Sequence, residues 1–216
     1  PPSSTRVRSS AASDVYKIQG LFMEFNESKT KENLAKSFAG ASQDGARFQF
    51  ISKSAMSEGF AYISDLMKGF AKNKMAHASI FYQIMLTNIG TNKENINIEA
   101  GYPFEKYTLK TSLKDSAEIE QYQAKNVYPH FSKIAKDEGF AKIAEVFDKV
   151  ASVNLENANK LLKLAEKFEK KKLYKSDVKE KWICSNCGFT MQTKEAWKTC
   201  PLCEYPQGYA KITFKN

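Results

Sequence analysis

From about residue 31 apolar positions recur three and four apart. Leu34, Phe38, Ala41, Gly45, Phe48 and Ile51 form one stripe, which predicts a helix with a single buried face. It should stop near Glu58-Gly59, where glycine suits a left-handed cap. A second helix is predicted over about 60–88, with Ile63, Leu66, Met67, Phe70, Met75, Ile80, Phe81 and Met85 inward. The short connection makes the pair antiparallel. Residues 89–103 carry Gly90, Asn92, Asn95, Gly101 and Pro103 and read as a long crossover. The pattern then repeats: SKSAMSEGFAYISDLMKGFA at 52–71 lies over SKIAKDEGFAKIAEVFDKVA at 132–151, a constant offset of 80 residues. Two copies of one hairpin joined by a crossover predict a mainly α, four-helix bundle over 28–172, its last helix at about 141–170.

The flanks read differently. Residues 1–27 are rich in Ser and Arg at their start and lack a sustained apolar period, so they read as a tail, vector-derived or disordered before a natural start at Met23. Ser28-x-x-Lys31 leads into the first helix. Lysines dominate EKFEKKKLYKSDVKEK, whose part at 173–181 is assigned to a solvated connector. The segment 182–216 is then left as a small β-rich module, too short to fold on apolar burial alone and expected to draw much of its stability from a metal.

Composition narrows the partners. With 42% hydrophobic and 26% charged positions among 216 residues, the chain can hold one sizeable core plus such a module. A net charge of +9 could serve nucleic acid, but the lysines alternate with Asp and Glu, so a solvated basic surface is expected and nucleic acid is not. No apolar run reaches membrane-spanning length and no leader pattern is present, which predicts a cytoplasmic protein with reduced cysteines and no membrane contact.

All four cysteines lie in the module. Cys184, Cys187, Cys200 and Cys203 form two C-x2-C hooks separated by twelve residues, a spacing that lets each hook approach one tetrahedral metal from opposite sides. Gly188 fits the turn behind the first hook, and Pro201 stiffens the second. Spacing alone leaves iron and zinc both open. No Gly-rich phosphate loop, nucleophile elbow or His-rich zinc motif accompanies them.

A paired helical hairpin followed by C-x2-C-x12-C-x2-C, with Trp182, Cys187-Gly188, Cys200-Pro201 and Pro206, resembles the rubrerythrins over about residues 28–215. The resemblance implies a ferritin-like bundle with a di-iron centre and a rubredoxin-like domain with one iron on four cysteines. It also implies hydrogen peroxide reduction and a head-to-tail homodimer. The bundle departs from the family at the metal positions. The glutamate of the first helix is Ala41; the Glu-x-x-His of the second is Lys74 and His77; the glutamates of the third are Glu120 and Gln123; the Glu-x-x-His of the fourth is Asn154 and Asn157. A slip of the alignment to Glu118 or Glu156 would point a ligand off the inner face by about 100° or more per residue. Tyr128 is kept, while the family's tyrosine of the first helix is Phe48.

The di-iron centre is therefore expected to be absent, with Lys74 paired to Glu120 and with Gln123, Asn154, Asn157 and His77 completing a neutral network. His77 is expected to be a satisfied core histidine and His130 to sit at the solvent edge. Three functions follow: an electron-transfer protein with one iron at the cysteines and an unknown redox partner, a non-haem iron peroxidase with a rearranged bundle site, or a zinc-bearing structural or partner-binding protein.

Overall fold

The computed structural model describes residues 24–90, 95–104 and 108–214. Helix α1 (Lys29–Ser57) is opened by Ser28, whose side chain accepts from the Lys31 N–H. Helix α2 (Ala61–Asn88) returns antiparallel beside it. The third helix of the bundle comes in two α segments, α3 (Leu109–Tyr122) and α4 (Tyr128–Asp137), joined by a π turn over Gln123–Val127. Proline explains the break: Pro129 has no N–H to continue the ladder, and the Tyr128 N–H reaches back to Gln123 O. Helix α5 (Ala141–Glu169) completes the bundle.

The internal repeat is carried in backbone hydrogen bonds. At the first corner the N–H groups of Glu58, Gly59 and Phe60 donate to Ser54, Met56 and Ala55; at the second, those of Glu138, Gly139 and Phe140 donate to Ile134, Lys136 and Ala135. Both glycines have positive φ, +84° and +90°, a region in which a Cβ is strained. Two apolar clusters fill the bundle. One centres on Ile63, Met67, Leu113 and Leu161, the other on Leu34, Phe81, Phe147 and Tyr128.

Several expectations need correction. Phe38 is 40% exposed and packs at a tilt against Tyr82, Met75 is 47% exposed, and Ile80 is also exposed. Each lies at the margin of its stripe, where periodicity does not separate core from rim. Residues 24–27 are ordered rather than tail: Phe25 is buried and meets Phe140 edge-on at 5.7 Å. The rest of the expected tail, 1–23, lies outside the described residues. The expected connector at 173–181 is mostly strand. Leu173 enters the bundle core, and β1 (Lys175–Ile183) pairs antiparallel with β2 (Thr190–Glu195). Lysines mask its alternation, which turns Glu180 and Trp182 inward.

The module sits on the bundle of its own chain. Ile212 and Leu173 join the first bundle cluster, with Phe60 against Phe168 nearby. Gly208 lies so close to the α1–α2 corner that a Cβ there would come 1.8 Å from the Gly59 carbonyl oxygen.

Candidate functional site

The cysteine hooks are built by two similar turns. In the first, the Cys184 N–H donates to Phe189 O and the Gly188 N–H to Cys184 O; in the second, the Cys200 N–H donates to Tyr205 O and the Glu204 N–H to Cys200 O. The residue after each hook needs positive φ, supplied by Gly188 at +79° and, less comfortably, by Glu204 at +60°. Trp182, Trp197, Ala196 and Ala210 pack behind the sulfurs, and the Trp182 Nε1–H donates to Thr193 O at 3.0 Å.

The four Sγ atoms lie within 4.8 Å of one another, with Cys184 to Cys203 and Cys187 to Cys200 both 3.7 Å. A tetrahedron of sulfurs at about 2.3 Å from a central ion has edges of about 3.8 Å, so the donor set fits one tetrahedral ion, iron or zinc. The thiols are electrostatically divided. Cys187 gains from the Phe189 N–H, yet burial and the other sulfurs push its thiol up to about 12; burial opposes the Cys203 thiolate, while the Tyr205 N–H and Asn186 help draw it down to about 6. Four thiolates side by side require a cation to hold them. Cys184 and Cys200 are buried, while Cys187 and Cys203 are partly open beside exposed Leu202.

In the bundle interior Lys74 is central. It is 1% exposed, and its Nζ lies 2.5 Å from Glu120 Oε1, 3.4 Å from Asp44 Oδ2, 3.0 Å from Gln123 Oε1 and 3.1 Å from Asn154 Oδ1. Gln123 also donates to Asp44 at 2.7 Å and accepts from Asn154 at 2.8 Å, and Asn157 donates to Glu120 at 3.4 Å. Glu120, 1% exposed, has its pKa raised: burial dominates over the opposing help of Lys74 and Asn157. Ala41 is buried without polar function, and Glu118 and Glu156 face solvent. His130 is exposed, as expected.

Sequence reasoning missed Asp44 and Arg47. Asp44 is buried and pairs with Arg47 at 3.4 Å as well as with Lys74. Two cations thus face two carboxyl groups, so the balance expected from Lys74 and Glu120 alone is reached with a second pair. The available signal was Asp44 at three residues beyond Ala41, on the same helical face. His77 does not join the network. It is buried, its Nδ1 has no hydrogen-bond partner among the described residues, and burial, then Lys74, lowers its pKa to about 4.

Comparison with known proteins agrees with this architecture. A family model described as Rubrerythrin matches residues 32–165, and one described as Rubrerythrin, rubredoxin-like domain matches residues 182–209. The chain is 38% identical over 185 residues to a rubrerythrin of Clostridium perfringens, covering 85% of this chain and 94% of that protein. It is 31% identical over 183 residues to a rubrerythrin of Porphyromonas gingivalis, covering 84% and 88%. A structure of nigerythrin in a mixed-valence state shares the fold at TM-score 0.56 and 22% identity, covering 91% of this chain and 95% of that one.

Proposed function

Because this chain belongs to the rubrerythrin family, we propose that it is a one-electron carrier with a single iron at Cys184, Cys187, Cys200 and Cys203 and no dinuclear iron in the bundle. The observation that carries the reading is the Lys74 ammonium, engaged with Glu120, Asp44, Gln123 and Asn154. A ferrous ion about 3.5 Å from that nitrogen would be repelled by about 9 kcal/mol at an effective dielectric of 20. Both carboxyl groups are already spent on cations, and the amides are weak donors. Among the described residues His77 Nδ1 is the unengaged strong ligand atom here, and a metal needs more than one. The di-iron group therefore does not fit these residues.

The cysteine site does fit. Iron held by four thiolates supplies one-electron exchange with little ligand movement. The chain's own contribution is to exclude water from Cys184 and Cys200, to aim the N–H groups of Phe189 and Tyr205 at sulfur, and to leave the Cys187 and Cys203 edge open to a redox partner. The head-to-tail homodimer belongs to the same reading. Exposed Phe38, Met75, Tyr82 and Leu86 on the α1–α2 hairpin would suit such a contact.

Elemental analysis with a visible spectrum tests the proposal. About one iron per chain, and sulfur-to-iron absorption that bleaches on reduction, is the expected result. About three irons per chain, peroxide turnover by the iron-loaded protein, or a colourless zinc site would overturn it. No helix among the described residues is long and apolar enough to cross a membrane.

A further inference from the structure

Between α1, the π turn and residues 100–103 lies a cleft of about 450 Å³ for which electron transfer has no use. That volume is in the range of small-molecule sites. Ile119, Tyr122, Val127 and Phe131 make most of its wall apolar. Two hydrogen-bond donors on this wall remain unspent. Tyr128 is 4% exposed and lines the cleft, and its hydroxyl has no hydrogen-bond partner among the described residues. Burial, reinforced by Asp44, raises its pKa and keeps the phenol a donor. Arg47 also lines the cleft. Among the described residues only its Nη2 is engaged, by Gln43 Oε1 at 2.8 Å and Asp44 Oδ1 at 3.4 Å, which leaves the other edge of the guanidinium for a planar acceptor.

We infer that this cleft binds a small amphipathic monocarboxylate, with its carboxylate on Arg47 and Tyr128 and its apolar body against Ile119, Val127 and Phe131. A cation would find little to hold it: both Asp44 oxygens are taken by Gln123, Lys74 and Arg47, and the other carboxylate of the lining, Glu118, is exposed at the rim and pairs with Lys114 at 3.8 Å. With the lining's lysine, Lys36, held by Glu32 at 2.6 Å, a phosphate would carry more charge than one guanidinium and one phenol beside a carboxylate can balance. The site lies wholly in the bundle and does not depend on which metal the cysteines hold.

Calorimetric titration of the metal-loaded full chain tests this, with 3-phenylpropanoate and octanoate as aromatic and aliphatic probes and 3-phenylpropanol as the neutral control. Saturable binding of at least one acid with one-to-one stoichiometry is expected, at least tenfold tighter than the alcohol. Tyr128→Phe and Arg47→Gln should each weaken the acid at least tenfold and leave the alcohol unchanged. Ile119→Trp, at a half-buried position, should abolish binding by filling the cleft, and a retained thermal transition would show that the bundle still folds. Lack of saturable binding of either acid at millimolar concentration would sink the idea, as would acid binding that survives both polar variants unchanged.

Discussion

Replacing Lys74 with methionine keeps most of the side-chain volume and removes the ammonium from a site that is 1% exposed. Glu120 and Asp44 then lose the cation at 2.5 and 3.4 Å, and Gln123 and Asn154 each lose a donor. Breaking a buried pair from one side costs about 3–5 kcal/mol, because the remaining charge stays desolvated. For a chain of this size that is a drop of roughly 6–20 °C in melting temperature. The cost should also depend on pH. Glu120 already has a raised pKa, so the folded state binds its proton more tightly than the unfolded state does, and stability falls as pH rises through that window. Without Lys74 the window extends further upward, so the deficit should be largest at alkaline pH and shrink toward pH 5. Urea unfolding followed by helical circular dichroism at several pH values measures this. Lys74→Met/Glu120→Gln should recover a large part of the loss. A single variant within about 1 kcal/mol of wild type at pH 7, or a double variant no better than the single, would refute the paired-charge account.

Three further outcomes follow from the geometry. Gly208→Ala places a Cβ 1.8 Å from the Gly59 carbonyl and should release the module from its corner while the cysteines keep their metal. Small-angle scattering should then report a larger radius of gyration, and an unchanged radius would contradict the docking. Glu204→Gly relieves a positive φ of +60° at an exposed position and should raise the midpoint for metal release by chelator, by the equivalent of about 1 kcal/mol. His77, lowered from 6.5 to about 4, binds a proton more readily unfolded than folded, so its contribution is full above pH 6.5 and is lost as pH falls toward 4. NMR titration of His77 should show a midpoint near the lower value; a midpoint near 6.5 would count against a buried neutral imidazole.

The cysteine hooks, the helical hairpins and the repeated Glu-Gly-Phe-Ala corner were legible in sequence because each is a local device. Two-residue spacing forces sulfurs into reach of one ion, a helical period declares its own buried face, and a glycine at positive φ ends a helix wherever it stands. The meeting of Lys74 with Glu120, Gln123 and Asn154 was legible too. The second charged pair beside it was not. Asp44 and Arg47 come from a helix that meets the third helix only after folding, and no spacing rule relates residues 44, 74 and 120. The exposure of Phe38 and Met75, the strand within the lysine-rich segment, the burial of Tyr128 beside the cleft and the seat of Gly208 on Gly59 likewise depend on which surfaces meet. Local chemistry is written in the order of the residues, whereas the pairing of buried charges and the closing of one face on another follow from distances that only the packed chain sets.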